Sequence, residues 1–300
     1  MSNSLVEEQL QREKKNGRDC HIVKSPLRYP GGKSKALKRI LPLVPEYDEF
    51  REPMAGGASV FFALKQKYPN KKYWINDINT ELFYFWKHCK ESPKELITEI
   101  RKHKNKYKNG MELYAYLKSK KRTITGLQKA ARFFILNRIT FSGLIDSGGY
   151  SQQAFEKRFT DSSIKRISEA SKILQNTKIT NLDYWDVVKY KGKKVFIFLD
   201  PPYMSNSKSK LYGAGGILHI NFRHKRFAKC IRNSKHKWLI TYDNCSGVQR
   251  SYNLVNSVEL NIHRWNLRYS INNSTRNLQQ KKARVGKELF IFNYKNRPKE

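Results

Sequence analysis

Acidic residues are scarce in this chain: 25 Asp and Glu stand against 60 Lys and Arg in 300 residues, a formal charge of +35. Such an excess goes beyond what solubility requires and is tolerable when a polyanion neutralises it. The cations are also unevenly spread, falling in "KHKNKYKNG", "KSKKR", "KYKGKK", "FRHKRFAKCIRNSKHK" and "QQKKARVGK", several with aromatic residues interleaved. Nucleic acid is the favoured partner and an acidic membrane surface the alternative. Long apolar runs are missing as well. No stretch approaches the roughly 18 apolar residues that a spanning helix needs, and the first residues hold no apolar core of a signal peptide. The expectation is a chain with no membrane partner that stays in the cytoplasm where it is made. Cysteine is sparse, and Cys20, Cys89, Cys230 and Cys245 are far apart. That spacing excludes a paired zinc site or a disulfide framework.

What is present suffices for a folded core, with 39% apolar and 13% aromatic residues. Residues 1–24 read as a polar tail without sustained periodicity. From there short β-rich runs alternate with helical ones: "DEFREP", the glycine turn "MAGGA", the helical "SVFFALKQKY", then "KKYWIN" and Asp77 before the helical "TELFYFWKHCK". Strand, glycine turn, helix, strand, acid is the opening of a doubly wound α/β sheet. Between residues 91 and 175 apolar positions fall at helical spacing, so this block reads as an inserted helical lobe. Its middle, "TFSGLIDSGGYSQQAFEKRFT", reads as a loop or hairpin. Strand patterns return in 176–300 with "TKITNLDYW", "KKVFIFLD", "KWLITYD", "NSVELNIH" and "KELFIFNY", the last two suited to an antiparallel pair at the sheet edge. The expected architecture is α/β, a doubly wound mixed sheet, with 25–90 and 176–300 forming one catalytic domain around the insertion.

Two motifs invite chemistry. "LRYPGGKSK" runs a glycine pair into Lys33 and Ser34, but Leu27 stands where a triphosphate loop requires glycine, so that reading is weak. "VFIFLDPPY" is an apolar strand that ends in Asp200, Pro201, Pro202 and Tyr203. In open α/β sheets ligands bind at the carboxyl ends of the strands, and two prolines fix the backbone direction there. An acid, two rigid prolines and an aromatic ring form an arrangement for gripping a flat, amino-bearing ring, although Asp-Pro also makes plain turns.

With those residues in view, the chain resembles the Dam-like (D12 class) DNA adenine N6-methyltransferases. Asp-Pro-Pro-Tyr resembles their catalytic motif, "RYPGGKSK" their N-terminal cofactor motif, "EPMAGGASVFF" their glycine-rich loop, "NDIN" their acidic turn and "NLDYWDVV" the segment before the catalytic strand. The resemblance implies a Rossmann-like fold and S-adenosylmethionine as cofactor. By carry-over Tyr29, Gly31, Gly32 and Lys33 enclose it, with Lys33 facing either its carboxylate or an acid of the site. Glu52, Ala55 and Gly56 form the loop, Asp77 holds the ribose, Asp183 the adenine amino group, and Asp200 borders the donor. For Asp77 a helix cap and for Asp183 a turn acid stand as rival readings. The glycine loop departs from the family's usual order, reading Ala55-Gly56-Gly57-Ala58, and Arg223 stands before His224 where relatives tend to carry an acid. That departure questions a carboxylate partner for His224 and suggests a phosphate contact.

The same resemblance implies double-stranded DNA as partner and a target adenine flipped out of the duplex. Asp200 and the Pro201 carbonyl would accept its amino hydrogens, with Tyr203 stacked on the ring. In the helical block Arg138, Thr140, Ser142 and Gln152 offer donors or acceptors, and Phe141 and Tyr150 wedges; packing or phosphate contact competes with base readout at each. The stretch 204–227, polar and glycine-bearing, is a candidate cover for the flipped base. The family setting suggests a prokaryotic or viral source, a monomer, and room for a separately acting restriction endonuclease. Two alternatives stay open: a nucleic-acid-binding protein that keeps the fold without catalysis, and an amino-methyltransferase acting on cytosine N4 or RNA. Asp200→Ala should nearly abolish turnover and leave most DNA affinity, because phosphate contacts dominate binding. Methyl-transfer and gel-shift assays on one preparation check this, and normal turnover would refute the role.

Overall fold

The computed structural model describes residues 22–29, 31–119, 124–145, 148–204, 222–252, 260–268 and 285–295. Seven strands build one sheet: β1 (Glu49–Glu52), β2 (Lys72–Asn76), β3 (Thr177–Thr180), β4 (Val195–Leu199), β5 (Lys237–Asp243), β6 (Asn261–Arg268) and β7 (Val285–Phe292). Their order is β3-β2-β1-β4-β5-β7-β6. β3, β2, β1, β4 and β5 are parallel, while β7 runs antiparallel to both β5 and β6. The chain therefore reverses its winding between β1 and β4, which leaves a crevice at their carboxyl ends. The expected antiparallel edge pair is present, but β6 starts later than "NSVELNIH" and runs into the charged stretch after it; residues 253–259 lie outside the described residues.

β4 shows why the sheet is covered on both faces. All five of its residues are buried. Phe196 and Phe198 join an apolar cluster with Phe50, Phe61 and Tyr73, whereas Val195, Ile197 and Leu199 join another with Ile240 and Tyr242. A central parallel strand needs apolar side chains of both parities, and "VFIFL" supplies them. Among the described residues, besides a single turn at Leu37–Ile40, the α-helices are α1 (Ser59–Lys67), α2 (Thr80–Glu91), α3 (Pro93–Lys106), α4 (Gly110–Ser119), α5 (Gly126–Ile139), α6 (Gln152–Arg158), α7 (Asp161–Leu174), α8 (Tyr184–Lys189), α9 (His224–Arg232) and α10 (Ser246–Tyr252).

The block 91–175 forms helices α3 to α7, and among the described residues its only strand pairing is an isolated bridge between Thr140 and Tyr150. Four of the five start where a side chain satisfies free amides, and α3 starts instead on Pro93. Thr125 forms a reciprocal capping box with Gln128, and Thr160 accepts from Ser163. Ser151 accepts from the Ala154 amide, so "QQAFEKR" is a helix rather than part of a long loop. Leu96, Ile100, Leu117, Phe133 and Phe134 belong to the same apolar cluster as Phe50 and Phe196, so packing runs without a break from the helices into one sheet face. The tail is tied down near its end: Val23 exchanges two backbone hydrogen bonds with the Gln66 side chain at 2.8 and 2.9 Å.

Arg51 locks the sheet to the loop after α8. It is fully buried, donates to Glu49 at 2.6 Å, and reaches the carbonyls of Val187, Tyr190 and Lys191 at 3.0, 2.6 and 3.0 Å. Trp74 and Tyr190 flank its guanidinium. Removing it leaves carbonyls unpaired, a loss of about 3–5 kcal/mol for breaking a buried charged contact. Urea denaturation of Arg51→Ala should show that loss, and Arg51→Lys should recover only part of it because an ammonium lacks the planar fork.

Candidate active site

The carboxyl ends of β1, β2 and β4 surround a cavity of about 500 Å³, a size suited to a small-molecule ligand. Its walls include Tyr29, Gly32, Lys33, Glu52, Ala55, Gly56, Asp77, Asp183, Asp200 and Pro202. Residues scattered over 170 positions of sequence thus meet at the crevice that the sheet's reversal creates.

Asp200 follows the last residue of β4 and is fixed from two sides. Lys33 donates to Oδ2 at 2.6 Å, and Thr241, a buried residue of β5, donates to Oδ1 at 2.7 Å. Lys33 itself is buried, also donates to the Gly31 carbonyl at 2.8 Å, and lies 5.1 Å from the centre of the Tyr203 ring. Of the two partners expected for Lys33, the structure displays the acid. Pro201 is buried and Pro202 faces the cavity. The Tyr203 hydroxyl donates to Glu288 of β7, and its ring packs beside Tyr242. Thr241 and Glu288 had no motif to mark them; their only sequence trace was being polar within apolar strands.

In the glycine turn after β1 the backbone comes close to Tyr29. Gly56 has φ of +48°, and a Cβ there would sit 2.7 Å from the Tyr29 ring, while one on Gly57 would sit 2.9 Å from the Tyr29 Cβ. Tyr29 therefore packs directly on the loop backbone, which only glycine permits. Ahead of it, a Cβ on Gly32 would lie 2.9 Å from the Tyr29 carbonyl, and Gly31 turns with φ of +73°. The Gly56 amide donates to Asp77 Oδ2 at 2.9 Å, and Ala55 is held by the Asn76 carbonyl.

Asp77 is not the cap of α2. Asn79 accepts from the Glu81 and Leu82 amides, while Asp77 accepts from the Asn79 amide at 2.9 Å and so shapes the turn. Asp183 does cap its helix, accepting from Trp185 at 2.8 Å, and also borders the cavity. Asn76, absent from the sequence-based candidates, braces the rim: it donates to the Pro53 and Leu182 carbonyls and accepts from Thr180 and the Leu182 amide.

Desolvation dominates the electrostatics of the floor. Burial, then the charges of Asp200 and Asp77, push Glu52 well above the usual carboxylate range, although the Phe61 amide donates to it at 3.0 Å. Burial raises Asp77 to about 6 against the two amide hydrogen bonds. Four acids, Glu52, Asp77, Asp183 and Asp200, and three cations, Lys33, Arg223 and Arg226, line the cavity, a setting that suits a ligand carrying charges of both signs together with hydroxyl or amino donors.

The six residues expected to face DNA do not line this cavity. Arg138 is buried over the Phe134 ring, and burial beside Arg28, Arg166 and Arg158 lowers it to about 9. Thr140 is buried and donates to the Leu136 carbonyl at 2.7 Å. Above them Phe141 is 58% exposed and Ser142 adopts φ of +55°. Tyr150 donates to Gln152, which donates to Glu156. Asn137 links the loop to the cavity by pairing with both backbone groups of Arg28, the residue before Tyr29. His224 shares a 2.6 Å hydrogen bond with the Tyr242 hydroxyl rather than with a carboxylate. Most of the candidate cover, residues 205–221, lies outside the described residues.

A sheet of this order, a glycine turn after its first strand and an Asp-Pro-Pro-Tyr rim after its fourth define a Rossmann-like methyltransferase. The model of the D12 class N6 adenine-specific DNA methyltransferases matches residues 29–271, and the chain belongs to that family. Relatives include the Type II methyltransferase M1.LlaDCHI of Lactococcus lactis, 28% identical across 90% of this chain and 95% of its own length. The Type II methyltransferase M.MjaIII of Methanocaldococcus jannaschii is 28% identical across 63% of this chain and 72% of its own. A DNA adenine methylase of Vibrio cholerae is 23% identical across 59% and 64%. The protein is accordingly a DNA N6-adenine methyltransferase by family, and no helix among the described residues is long and apolar enough to cross a membrane.

The raised Asp77 has a consequence for folding. Between about pH 4 and 6 the folded chain keeps a proton there that the unfolded chain has released, so Asp77 takes stability away as the pH rises through that window. Relative to wild type, Asp77→Asn should gain stability from pH 4 to pH 6.5 in paired urea titrations. A constant difference would show that Asp77 titrates normally.

Proposed function

We propose that this chain transfers a methyl group from S-adenosylmethionine to the N6 amino group of an adenine flipped out of duplex DNA at a specific sequence. The observation that carries this reading is the Asp200 carboxylate, fixed by Lys33 and Thr241 at the mouth of a cavity whose floor is Glu52 and Asp77. The residues fit the cofactor. Asp77 keeps lone pairs for ribose hydroxyls after accepting two amides, Asp183 borders the space for the cofactor's adenine, and the glycine turn admits Tyr29 against its backbone. When bound, the sulfonium supplies an electrophilic methyl group and needs no metal.

The exocyclic nitrogen of adenine is a poor nucleophile because its lone pair is delocalised into the ring. Asp200 and the Pro201 carbonyl accept its two hydrogens, which favours a pyramidal nitrogen and frees that pair. Lys33 and Thr241 hold the acid in one orientation and each carboxylate oxygen still has accepting capacity, so the contribution is placement rather than strong basicity. After transfer Asp200 takes the proton. Tyr203, steered by Glu288, offers its ring to the base. Since a paired base cannot reach this rim, the target leaves the stack. Among the lobe residues, Phe141, Ser142, Tyr150 and Gln152 lie at or near the surface and suit entry into a groove, while Arg138 and Thr140 lie beneath them.

The lobe 91–175 would then be the target-recognition part and the remainder from residue 25 the catalytic part. Relatives named Type II methyltransferases support a place in a restriction–modification system with a separate endonuclease, and an orphan modification role is the alternative. A monomer working on cytoplasmic DNA completes the reading. Incubating the purified chain with labelled S-adenosylmethionine and mixed-sequence duplex DNA, then digesting to nucleosides, should yield N6-methyldeoxyadenosine. Labelled methylcytosine would change the acceptor, and shifted but unlabelled DNA would make the chain a binder only.

A further inference from the structure

Two basic runs separated by 27 residues, "KYKGKK" and "FRHKRFAKCIRNSKHK", come together on the sheet face opposite the lobe's apolar cluster. α9 carries no acid; Lys225, Arg226, Lys229 and Arg232 are exposed, while Phe227, Ala228, Cys230 and Ile231 are buried. α8 lies against it through Tyr184 and Phe227, whose ring centres are 5.2 Å apart. Lower down, His236 meets the Tyr190 carbonyl at 3.0 Å. Trp185 sits between Lys189, 4.0 Å from its ring centre, and Arg226 at 5.1 Å. Lys191, Lys193 and Lys194 are exposed beyond it, and Asp186 is the sole carboxylate of the stretch 184–195. None of these cations forms an ion pair with a described carboxylate, whereas Lys71 and Lys104 elsewhere do. The surface is continuous with the cavity, because Arg223 and Arg226 lie on the cavity wall and α9 runs away from it for about 13 Å.

We propose that α9 and the 189–194 segment form a second contact for the backbone of duplex DNA, a phosphate track leading away from the active-site mouth. It rests on the proposed function, since DNA brought to the mouth by the lobe is what the track would extend along. Exposed cations at this density repel one another; Asp48, within electrostatic reach of Lys193 and Lys194, and Asp186 offset only part of that, and a row of phosphates would supply the rest. The apolar face of α9 is consumed by the core, so the helix has nothing to insert into a lipid surface.

The test replaces four cations that lie outside the cavity: K193Q/K194Q/K229Q/R232Q. A control, K24Q/K38Q/K67Q/K72Q, removes the same charge from exposed lysines outside both the lobe and the track. Binding to a 200-base-pair mixed-sequence duplex is measured over a salt series, with thermal melts to confirm folding. Neutralising four phosphate contacts should reduce the slope of log affinity against log salt by about 3.6, from roughly 0.9 per contact. The control should move it far less. Equal loss in both proteins would mean bulk charge alone, and an unchanged slope in the first would mean an unused surface; either overturns the proposal. So would loss of binding to phosphatidylserine vesicles with DNA binding intact. If wild type binds with the expected slope yet methylates nothing, the enzymatic reading fails and the track stands.

Discussion

Everything at the site depends on how one carboxylate is held. Asp200 stands at the end of a fully buried strand, where two prolines prevent the chain from turning into a helix, and its two oxygens receive an ammonium and a hydroxyl from opposite directions. Lys33 comes from the N-terminal glycine motif and Thr241 from the neighbouring strand β5. The acid is therefore placed by tertiary contacts from two distant parts of the chain, and it can present lone pairs in a fixed direction without reorganising. Such fixed placement is what displacement at a poor nitrogen nucleophile requires.

The surrounding pocket follows from the same economy of groups. Asn76 braces the three loops after β1, β2 and β3, so Asp77 and Glu52 sit at a floor whose shape does not depend on a ligand. Tyr29 lies on a glycine backbone, and Arg28 just before it is paired with Asn137 at the end of α5. That pairing makes the loop bearing Phe141 and the cavity wall neighbours through a single residue.

Charge is partitioned with equal clarity. The acids at the cavity floor are few, desolvated and partly driven towards their neutral forms, with Lys33, Arg223 and Arg226 on the same wall, while most of the other described cations are exposed. Buried cations such as Arg51 and Arg132 are exceptions held by carbonyls and a carboxylate, and they fasten helices and loops to the core. In a protein of net charge +35 the local field at the pocket is thus set by distance and burial, not by net charge.

Much of this was legible in the sequence. "VFIFL" had to be a central strand because no other strand site accepts apolar side chains on both faces, and "DPPY" had to end it. The order of glycine turn and acid fixed the sheet type, and composition alone pointed to a polyanion. Local pattern fails where a residue's role depends on a partner far along the chain. Thr241, Glu288 and Asn76 look like ordinary strand polars, and Arg138 and Thr140 look like surface donors until helix packing buries them. Asp77 and Asn79 divide the acid and cap roles in a way that only backbone geometry settles, and two remote basic runs share one face only because α8 and α9 pack together. Residue type determined what chemistry was possible, and the burial and distances set by packing decided which side chains were in position to perform it.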